Sequence, residues 1–237
     1  MLTIYDQLMQ DVRIVEGLKS CMNCGVCTAI CPAAEFYHYD PRMLVTIVQS
    51  RDEERLLELL KSETIWYCGQ CMSCKSRCPR GNVPGLVIMG LRYLSQKLGY
   101  FVESEKGRQQ FAIKRTVGDN ILKFGYCVYP DSVVPELHPE QGPVWDWAYQ
   151  HLDEIYDRMD GNYKKEGPGV FRKISVETLD ELKEIFKVTG GSDLYQKIEE
   201  FSEIKAAEMG INFGPGTDND YFRHTYFSNN GEHTREE

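Results

Sequence analysis

The sequence predicts an all-α fold, with a helical N-terminal domain and a mostly helical C-terminal extension, and three observations predict it. Apolar residues recur at helical spacing along most of the chain. Pro41 and Pro84, each suited to a first helical position, stand at the start of two such segments. Residues 32–67, between two cysteine motifs, are patterned as two short helices rather than as a short β-rich link.

Five helices are predicted before residue 118, each delimited by a cap, a proline or a glycine. They cover residues 3–16, ended by Gly17; residues 42–50, after Pro41; the segment from Asp52 to Leu60; residues 84–98, ended by Gly99; and a polar helix over 101–117.

The rest of the chain is predicted to be an irregular packed segment followed by three helices and a tail. Residues 121–143 contain four prolines and are expected to be irregular. Residues 145–159 are expected to form one helix, and residues 161–169 a linker. A further helix is capped by a Thr178 capping box or by Ser175, and a last one covers residues 192–209.

We therefore expect three parts, which are residues 1–117, 118–210 and 211–237. The last part is too polar to form a core alone, yet it carries five aromatic residues between positions 213 and 227. These rings predict that residues 211–237 dock on a partner protein or on a second copy of the chain.

The composition is that of an ordinary globular protein of 237 residues with a net charge of −9. Residues 1–100 carry 11 Lys/Arg and 10 Asp/Glu, which leaves 16 and 26 for residues 101–237. Such an acidic chain is a poor candidate for binding nucleic acid. No apolar run approaches the roughly 20 residues of a membrane span, and residues 1–10 lack a signal-peptide pattern, so we expect a cytoplasmic protein.

One cysteine phrase occurs twice and accounts for eight of the nine cysteines. Both copies, Cys21–Pro32 and Cys68–Pro79, follow the spacing C-x2-C-x2-C-x3-C-P. This spacing is typical of proteins that hold two [4Fe–4S] clusters. Three thiolates at three-residue steps can curl around one cubane, while the cysteine before proline lies where the chain is already leaving the loop. In two-cluster ferredoxins that fourth cysteine binds the other cluster.

The motifs therefore predict two clusters with crossed ligands. Cluster 1 is assigned to Cys21, Cys24, Cys27 and Cys78. Cluster 2 is assigned to Cys68, Cys71, Cys74 and Cys31.

Two other uses of these cysteines compete with the clusters. Structural zinc sites also use C-x2-C pairs, but without a third cysteine three residues later and a trailing C-P. Disulfides belong to oxidising compartments and to small domains with a poor core, which this length does not suggest.

Side chains next to the second motif are expected to adjust its cluster. Lys75, Arg77 and Arg80 would offset cluster charge and raise the reduction potential, unless they are plain surface cations. The rings of Trp66 and Tyr67 would exclude water from the same cluster, unless they are only core residues.

No catalytic residues can be singled out. Cys127, the ninth cysteine, is expected to be a small buried hydrophobe, with a redox role as the alternative. The five histidines show no metal-binding spacing, and the glycines of residues 210–216 lack the flanking strand and helix of a nucleotide loop. Nothing in the sequence indicates a flavin or nicotinamide site.

The phrase Trp66–Gly81 followed by Leu91 and Arg92, and the phrase Cys21–Pro32 followed by Asp40-Pro41-Arg42, resemble the HdrC family of heterodisulfide reductase subunits. The resemblance covers about residues 15–98. It implies an α-helical ferredoxin domain with two [4Fe–4S] clusters. It also implies an electron-transfer subunit that relays electrons between an HdrA-like flavin subunit and an HdrB-like catalytic iron–sulfur subunit.

Two features refine what the resemblance implies. The chain has no Cys-Cys pair, whereas HdrB and the fused relatives carry a Cys-Cys-Gly element, so the chain looks like a stand-alone relay. Its long C-terminal part is closer to the variants of sulfur-oxidising, Hdr-like complexes than to the compact HdrC proteins of methanogens. The alternative is a relay subunit of another dehydrogenase, of the succinate, fumarate, lactate or glycolate type.

Overall fold

The computed structural model of the chain describes residues 2–228, and the described part is helical, without strands. The all-α prediction is therefore confirmed. Eight α-helices precede residue 100. They are α1 (Ile4–Leu8), α2 (Val12–Gly17), α3 (Val26–Ala29), α4 (Ala33–Phe36), α5 (Pro41–Ser50), α6 (Glu53–Lys61), α7 (Ser73–Arg77) and α8 (Pro84–Leu98).

Seven more α-helices follow in the described chain, with three short 3-10 turns between residues 130 and 141. The α-helices are α9 (Glu105–Ile113), α10 (Asp119–Phe124), α11 (Pro143–Gln150), α12 (Leu152–Arg158), α13 (Val176–Val188), α14 (Gly191–Met209) and α15 (Asp220–Phe227).

The described chain forms two compact units. The first contains residues 2–110, 197–213 and 220–228, and the second contains residues 111–196 and 214–219. The boundaries predicted from the sequence, after residues 117 and 210, stay predictions.

The first unit is built around α8, which packs against α2, α5 and α6. Its core side chains are aliphatic and aromatic, and Leu44, Leu56, Leu60, Leu91 and Phe101 are completely buried. Burying a side chain of this size stabilises the fold by about 1.5–3 kcal/mol. Both cysteine motifs lie in this unit.

Three predicted helix starts in this unit are confirmed. Asp40 caps α5 by accepting hydrogen bonds from two backbone N–H groups, and Pro41 occupies the first helical position. Asp52 caps α6, where it accepts from the Arg55 N–H at 3.2 Å. Helix α8 begins at Pro84 and ends at Gly99, whose φ of 82° is the left-handed conformation that glycine adopts without strain.

Three segments that were predicted to be single continuous helices are interrupted in the structure. Residues 3–16 form α1 and α2, because the Asp11 side chain accepts from the Arg13 N–H and starts a new helix. Residues 145–159 form α11 and α12, with a break at His151. Residues 101–117 begin as a 3-10 turn, continue as α9 and end in a π-helical segment over Lys114–Gly118.

The second unit has an aromatic core. Tyr129, Leu152 and Tyr163 are buried, and Phe124 stacks on Tyr129 with 4.2 Å between ring centroids. The segment 121–143 is irregular after α10, as predicted. Helix α13 is capped by Ser175, which accepts from the Thr178 N–H at 3.2 Å, so the second of the two predicted caps is the one that forms.

Two pieces of the tail, residues 211–213 and 220–228, belong to the first unit, and residues 214–219 belong to the second. Tyr221 and Phe222 of α15 are completely buried, and the Tyr221 N–H donates to the Asn212 carbonyl at 3.0 Å. Residues 229–237 lie outside the described residues. Docking of residues 211–237 on a partner or on a second copy stays a prediction.

Candidate metal centres

Two pockets of similar size lie in the first unit, and each collects four cysteines. The first, of about 390 Å³ including space open to solvent, contains loop residues of the first motif together with the end of the second. Its cysteines are Cys21, Cys24, Cys27 and Cys78.

The second pocket, of about 380 Å³, reverses this arrangement, because it combines the loop of the second motif with the end of the first. Its cysteines are Cys31, Cys68, Cys71 and Cys74. The structure therefore brings together the same two sets of cysteines that the crossed assignment groups.

The two motif loops repeat one backbone conformation. Asn23 and Gly25 in the first loop, and Gln70 and Met72 in the second, have φ between 53° and 80°. Alternating left-handed residues curl each loop so that its thiols point inward. The Asn23 N–H donates to Cys21 Sγ at 3.3 Å, and the Gln70 N–H donates to Cys68 Sγ at 3.4 Å.

A buried asparagine ties the end of the second motif to the start of the first. Asn82 is 2% exposed, and its Oδ1 accepts from the Lys19 N–H at 2.8 Å and the Ser20 N–H at 3.1 Å. Its Nδ2 donates to the Ser20 carbonyl at 3.1 Å. These bonds hold Cys78 and the first loop at one pocket. Local sequence patterns gave no signal for this residue.

The chain also approaches itself closely at Gly17. The Val83 N–H donates to the Gly17 carbonyl at 2.7 Å, and a Cβ on Gly17 would lie 3.0 Å from the Val83 carbonyl oxygen. A larger residue at Gly17 would push the two segments apart, and they carry the two halves of the first pocket.

Asp40 joins the first motif to α5. Its carboxylate caps the helix, accepts from the Thr28 hydroxyl and pairs with Arg42 at 2.9 Å. Burial works to raise the pKa of Asp40, but the hydrogen bonds from Thr28 and Arg42 outweigh it and hold the pKa below its usual range.

The starts of α5 and α8 stand between the pockets. Pro84 lines the first pocket and Gly85 the second, while Arg42 lines the first and Pro41 the second. Gly85 is small for a reason, since a Cβ there would lie 2.9 Å from Met72 Sδ. The partial positive charge at each helix N-terminus favours an anionic group in the pockets.

Three of the eight thiols are buried enough that the charged form is disfavoured. Burial raises the pKa of Cys27, Cys31 and Cys74, whereas a hydrogen bond with Ser73 lowers the pKa of the exposed Cys71. The raised pKa of Cys31 also reflects the nearby sulfurs of the second motif. Metal coordination deprotonates such thiols and offsets the cost of burying them. Four thiols on apolar walls fit a cubane cluster in each pocket.

Two polar side chains at the second pocket were not singled out as functional from the sequence. Tyr39 lines the pocket, and burial, followed by the charge of Cys68, raises the pKa of its hydroxyl. Arg92 Nε donates to the Ile65 carbonyl at 2.6 Å and Nη2 to the Cys68 carbonyl at 2.7 Å. Its guanidinium lies 5.5 Å from the centre of the Trp66 ring. Trp66 itself is 9% exposed and lines neither pocket, which agrees with the alternative that it is a core residue, and the exclusion of water from the cluster stays a prediction.

Arg80 lines the first pocket rather than the second, so its expected place beside the second cluster is wrong. Lys75 and Arg77 are exposed on α7 and line neither pocket, which agrees with the alternative that they are plain surface cations. Cys127 is exposed, so the prediction that it is buried is wrong. Proximity in sequence had placed the three cations beside the second cluster, while the fold carries the end of the second motif to the first pocket.

Apart from the two cysteine pockets, no three His, Cys, Asp or Glu side chains of the described residues form a group that could hold a metal ion. Within the same part of the chain, no helix combines the length and the apolar composition needed to cross a bilayer.

Comparison with known proteins agrees with the two pockets. The 4Fe-4S dicluster domain family matches residues 17–82. The HdrC subunit of the ferredoxin:CoB-CoM heterodisulfide reductase of Methanosarcina acetivorans is 28% identical over 88% of this chain and 76% of its own length. A second HdrC iron–sulfur subunit of the CoB–CoM heterodisulfide reductase of Methanocaldococcus jannaschii is 29% identical over 63% of this chain and 76% of its own. The HdrC iron–sulfur subunit of Methanopyrus kandleri is 29% identical over 52% of this chain and 65% of its own length. The chain therefore carries two [4Fe–4S] clusters.

Proposed function

We propose that this chain, a homologue of the HdrC subunit of heterodisulfide reductase, is the electron-transfer subunit of a heterodisulfide-reductase-like complex. One observation carries the proposal. Two pockets in one helical unit each collect four cysteines, and each pocket draws on both motifs. Neighbouring pockets that share α5 and α8 suit passage of an electron from one to the other.

The eight motif cysteines are the proposed ligands, with Cys78 in the first set and Cys31 in the second. A cluster with four cysteine ligands has no open iron, and when bound it accepts and passes one electron at a time. The chain's own residues hold the thiols in place through the Asn82 and Asp40 bonds, and they shield the pockets with apolar walls.

The proposed partners follow from what two-electron disulfide chemistry needs. Net reduction or formation of a disulfide requires a site that holds the substrate and receives two electrons. The sequence offers no Cys-Cys pair, no flavin motif and no partner for Cys127. We propose that an HdrA-like flavin subunit splits electron pairs and that an HdrB-like iron–sulfur subunit carries the disulfide chemistry.

The proposed substrate class of the complex is a disulfide. The long C-terminal part suggested a sulfur-oxidising, Hdr-like complex. The Methanosarcina acetivorans protein matches over 88% of this chain, so it shares much of that part. The extension therefore does not separate the sulfur-oxidising type from the methanogenic one.

The test is turnover with and without the partner subunits. The pure chain, prepared anaerobically and reduced by dithionite, should not reduce thiol-disulfide substrates. Activity should appear when the flavin and catalytic subunits are added, and Cys127→Ser should be as active as the wild type. Turnover by the pure chain that is lost in Cys127→Ser would overturn the proposal. Co-purification with a succinate- or lactate-type dehydrogenase, in place of these partners, would favour the alternative relay.

A further inference from the structure

The two pockets differ in the polar groups that face them, although their loops match. Each loop has two left-handed residues and one N–H donated to its first cysteine, at 3.3 Å in one and 3.4 Å in the other. Each pocket also contacts the N-terminal ends of the same two helices. A difference between the bound clusters must therefore come from side chains outside the motifs.

Tyr39 is the first such side chain. It is 3% exposed and lines the second pocket, and its hydroxyl has no hydrogen-bond partner among the described residues. A buried hydroxyl without a partner is costly, so a donor at this place is explained by an acceptor in the pocket. Cys68 lines the same pocket, so its sulfur, or a sulfur of the cluster that it would bind, would be that acceptor. No tyrosine lines the first pocket within the described chain.

Arg92 is the second; it does not line the pocket but is bound to the backbone of Cys68, which does. Its guanidinium binds the carbonyl oxygens of Ile65 and Cys68 and lies over Trp66, and it forms no ion pair with a described carboxylate. A partly buried cation without a counter-ion is costly in a protein interior. The anionic cluster proposed beside Cys68 supplies the missing negative charge.

The cations at the first pocket are placed differently. Arg42 is paired with Asp40 at 2.9 Å, and its side chain is 43% exposed. Arg80 is exposed and donates to the Ser20 hydroxyl at 3.1 Å. The ion pair with Asp40 offsets the charge of Arg42, and water screens the charge of Arg80. Neither cation can therefore stabilise the reduced first cluster as strongly as Arg92 stabilises the reduced second cluster.

We infer that the second pocket holds the cluster of higher reduction potential, and that Tyr39 and Arg92 are the positioning residues that raise it. A hydrogen bond to a cluster sulfur and a nearby uncompensated cation both favour the reduced form, which carries one more negative charge. An electron that enters at the first cluster would then move to the second. The inference rests on the ligand sets proposed above.

A hydrogen bond to a charged group is stronger than one between neutral groups, and part of its strength depends on the oxidation state of the acceptor. Removal of the Tyr39 hydroxyl should therefore lower the equilibrium constant for reducing the second cluster relative to the first by about tenfold. This change corresponds to about 59 mV for one electron.

The experiment is an anaerobic redox titration of the two-cluster protein followed by EPR. The Cys24→Ser and Cys71→Ser variants label the signals, because each changes one exposed ligand of one pocket. Tyr39→Phe should lower the potential of the second cluster alone. The matched control is Tyr67→Phe, since the Tyr67 hydroxyl donates to Glu63 and the residue lines neither pocket.

The charge is tested in the same titration. Arg92→Gln should lower the potential of the second cluster by at least as much as Tyr39→Phe, and Arg92→Lys, which keeps the charge, should lower it less. Arg42→Gln should leave the second cluster unchanged. Tyr39→Phe removes one oxygen atom, so this variant decides the matter if Arg92→Gln fails to assemble.

Two results would overturn the inference. The first is that, in the wild type, the signal assigned by Cys24→Ser to the first cluster titrates at the higher potential. The second is that Tyr39→Phe shifts the potentials of both clusters equally, or of neither. If Cys24→Ser and Cys71→Ser changed the same EPR signal, the proposed ligand sets would be wrong. If each variant changed a different signal and Tyr39→Phe had no effect, the ligand sets would stand and only the inference about the potentials would be wrong.

Discussion

Asn82→Ala should release the first cluster, because Asn82 links the two motifs at the first pocket. The substitution removes three hydrogen bonds, two accepted from the Lys19 and Ser20 N–H groups and one donated to the Ser20 carbonyl. Each is worth a net of about 1 kcal/mol, so the closed pocket should lose about 3 kcal/mol relative to locally opened forms. If iron leaves from opened forms, cluster loss should become about a hundredfold faster.

The assay is the decay of visible absorbance in a fixed concentration of guanidinium under anaerobic conditions, with Mössbauer spectra to show which cluster goes first. The matched control is Asn120→Ala, which removes a buried asparagine of the second unit that donates to the Ser132 hydroxyl at 2.8 Å. Equal decay rates for Asn82→Ala and the wild type would refute the reasoning. So would selective loss of the second cluster.

Three further outcomes are expected. Cys78→Ala should perturb the first cluster in Mössbauer spectra, and damage confined to the second would contradict crossed ligation. Because the pKa of Asp40 is lowered in the folded protein, its ionised carboxylate stabilises the fold above about pH 4. This contribution is lost as the pH falls through the folded-state pKa. The advantage of wild type over Asp40→Asn in resisting cluster loss should therefore shrink on acidification, and a constant advantage would argue otherwise. Gly107→Ala should cost about 3 kcal/mol in thermal unfolding, since its Cβ would overlap the Phe101 carbonyl, whereas Gly214→Ala should cost little.

Spacing along the chain predicted what depends on near neighbours. The C-x2-C-x2-C-x3-C-P phrase predicted which three cysteines of each loop group together, because the three-residue steps act within a few residues, whereas the crossed fourth cysteine followed from the pattern of two-cluster proteins. Caps such as Asp52 and the Ser175 alternative were predicted for the same reason. These features need only the local backbone.

The remaining residues of the site depend on contacts that no local pattern encodes. Asn82 meets Lys19 across 63 positions, and Arg92 meets Cys68 across 24. The sequence placed Arg80 beside the second cluster, because it follows the second motif, and the fold carries it to the first pocket. Tyr39 offered no signal beyond being aromatic, since its role depends on a buried hydroxyl facing the second pocket.

The helix breaks show a similar limit. Apolar spacing continues through residues 145–159, but His151 leaves the helical conformation with a φ of −122°, and its Nδ1 lies 2.7 Å from the Trp147 carbonyl oxygen. A side chain that competes for a backbone carbonyl can end a helix without any change in periodicity. Asp11 likewise begins a new helix inside an unbroken apolar pattern.

The measurement that tests the relay most directly is rapid-freeze EPR of the reconstituted complex. The chain, reduced beforehand in both clusters, is mixed with the catalytic subunit and a disulfide substrate. The account predicts that both cluster signals disappear at least as fast as the complex turns over, and that they persist when the catalytic subunit is left out. Clusters that stayed reduced while the complete complex turned over would show that electrons reach the disulfide by a path outside this chain.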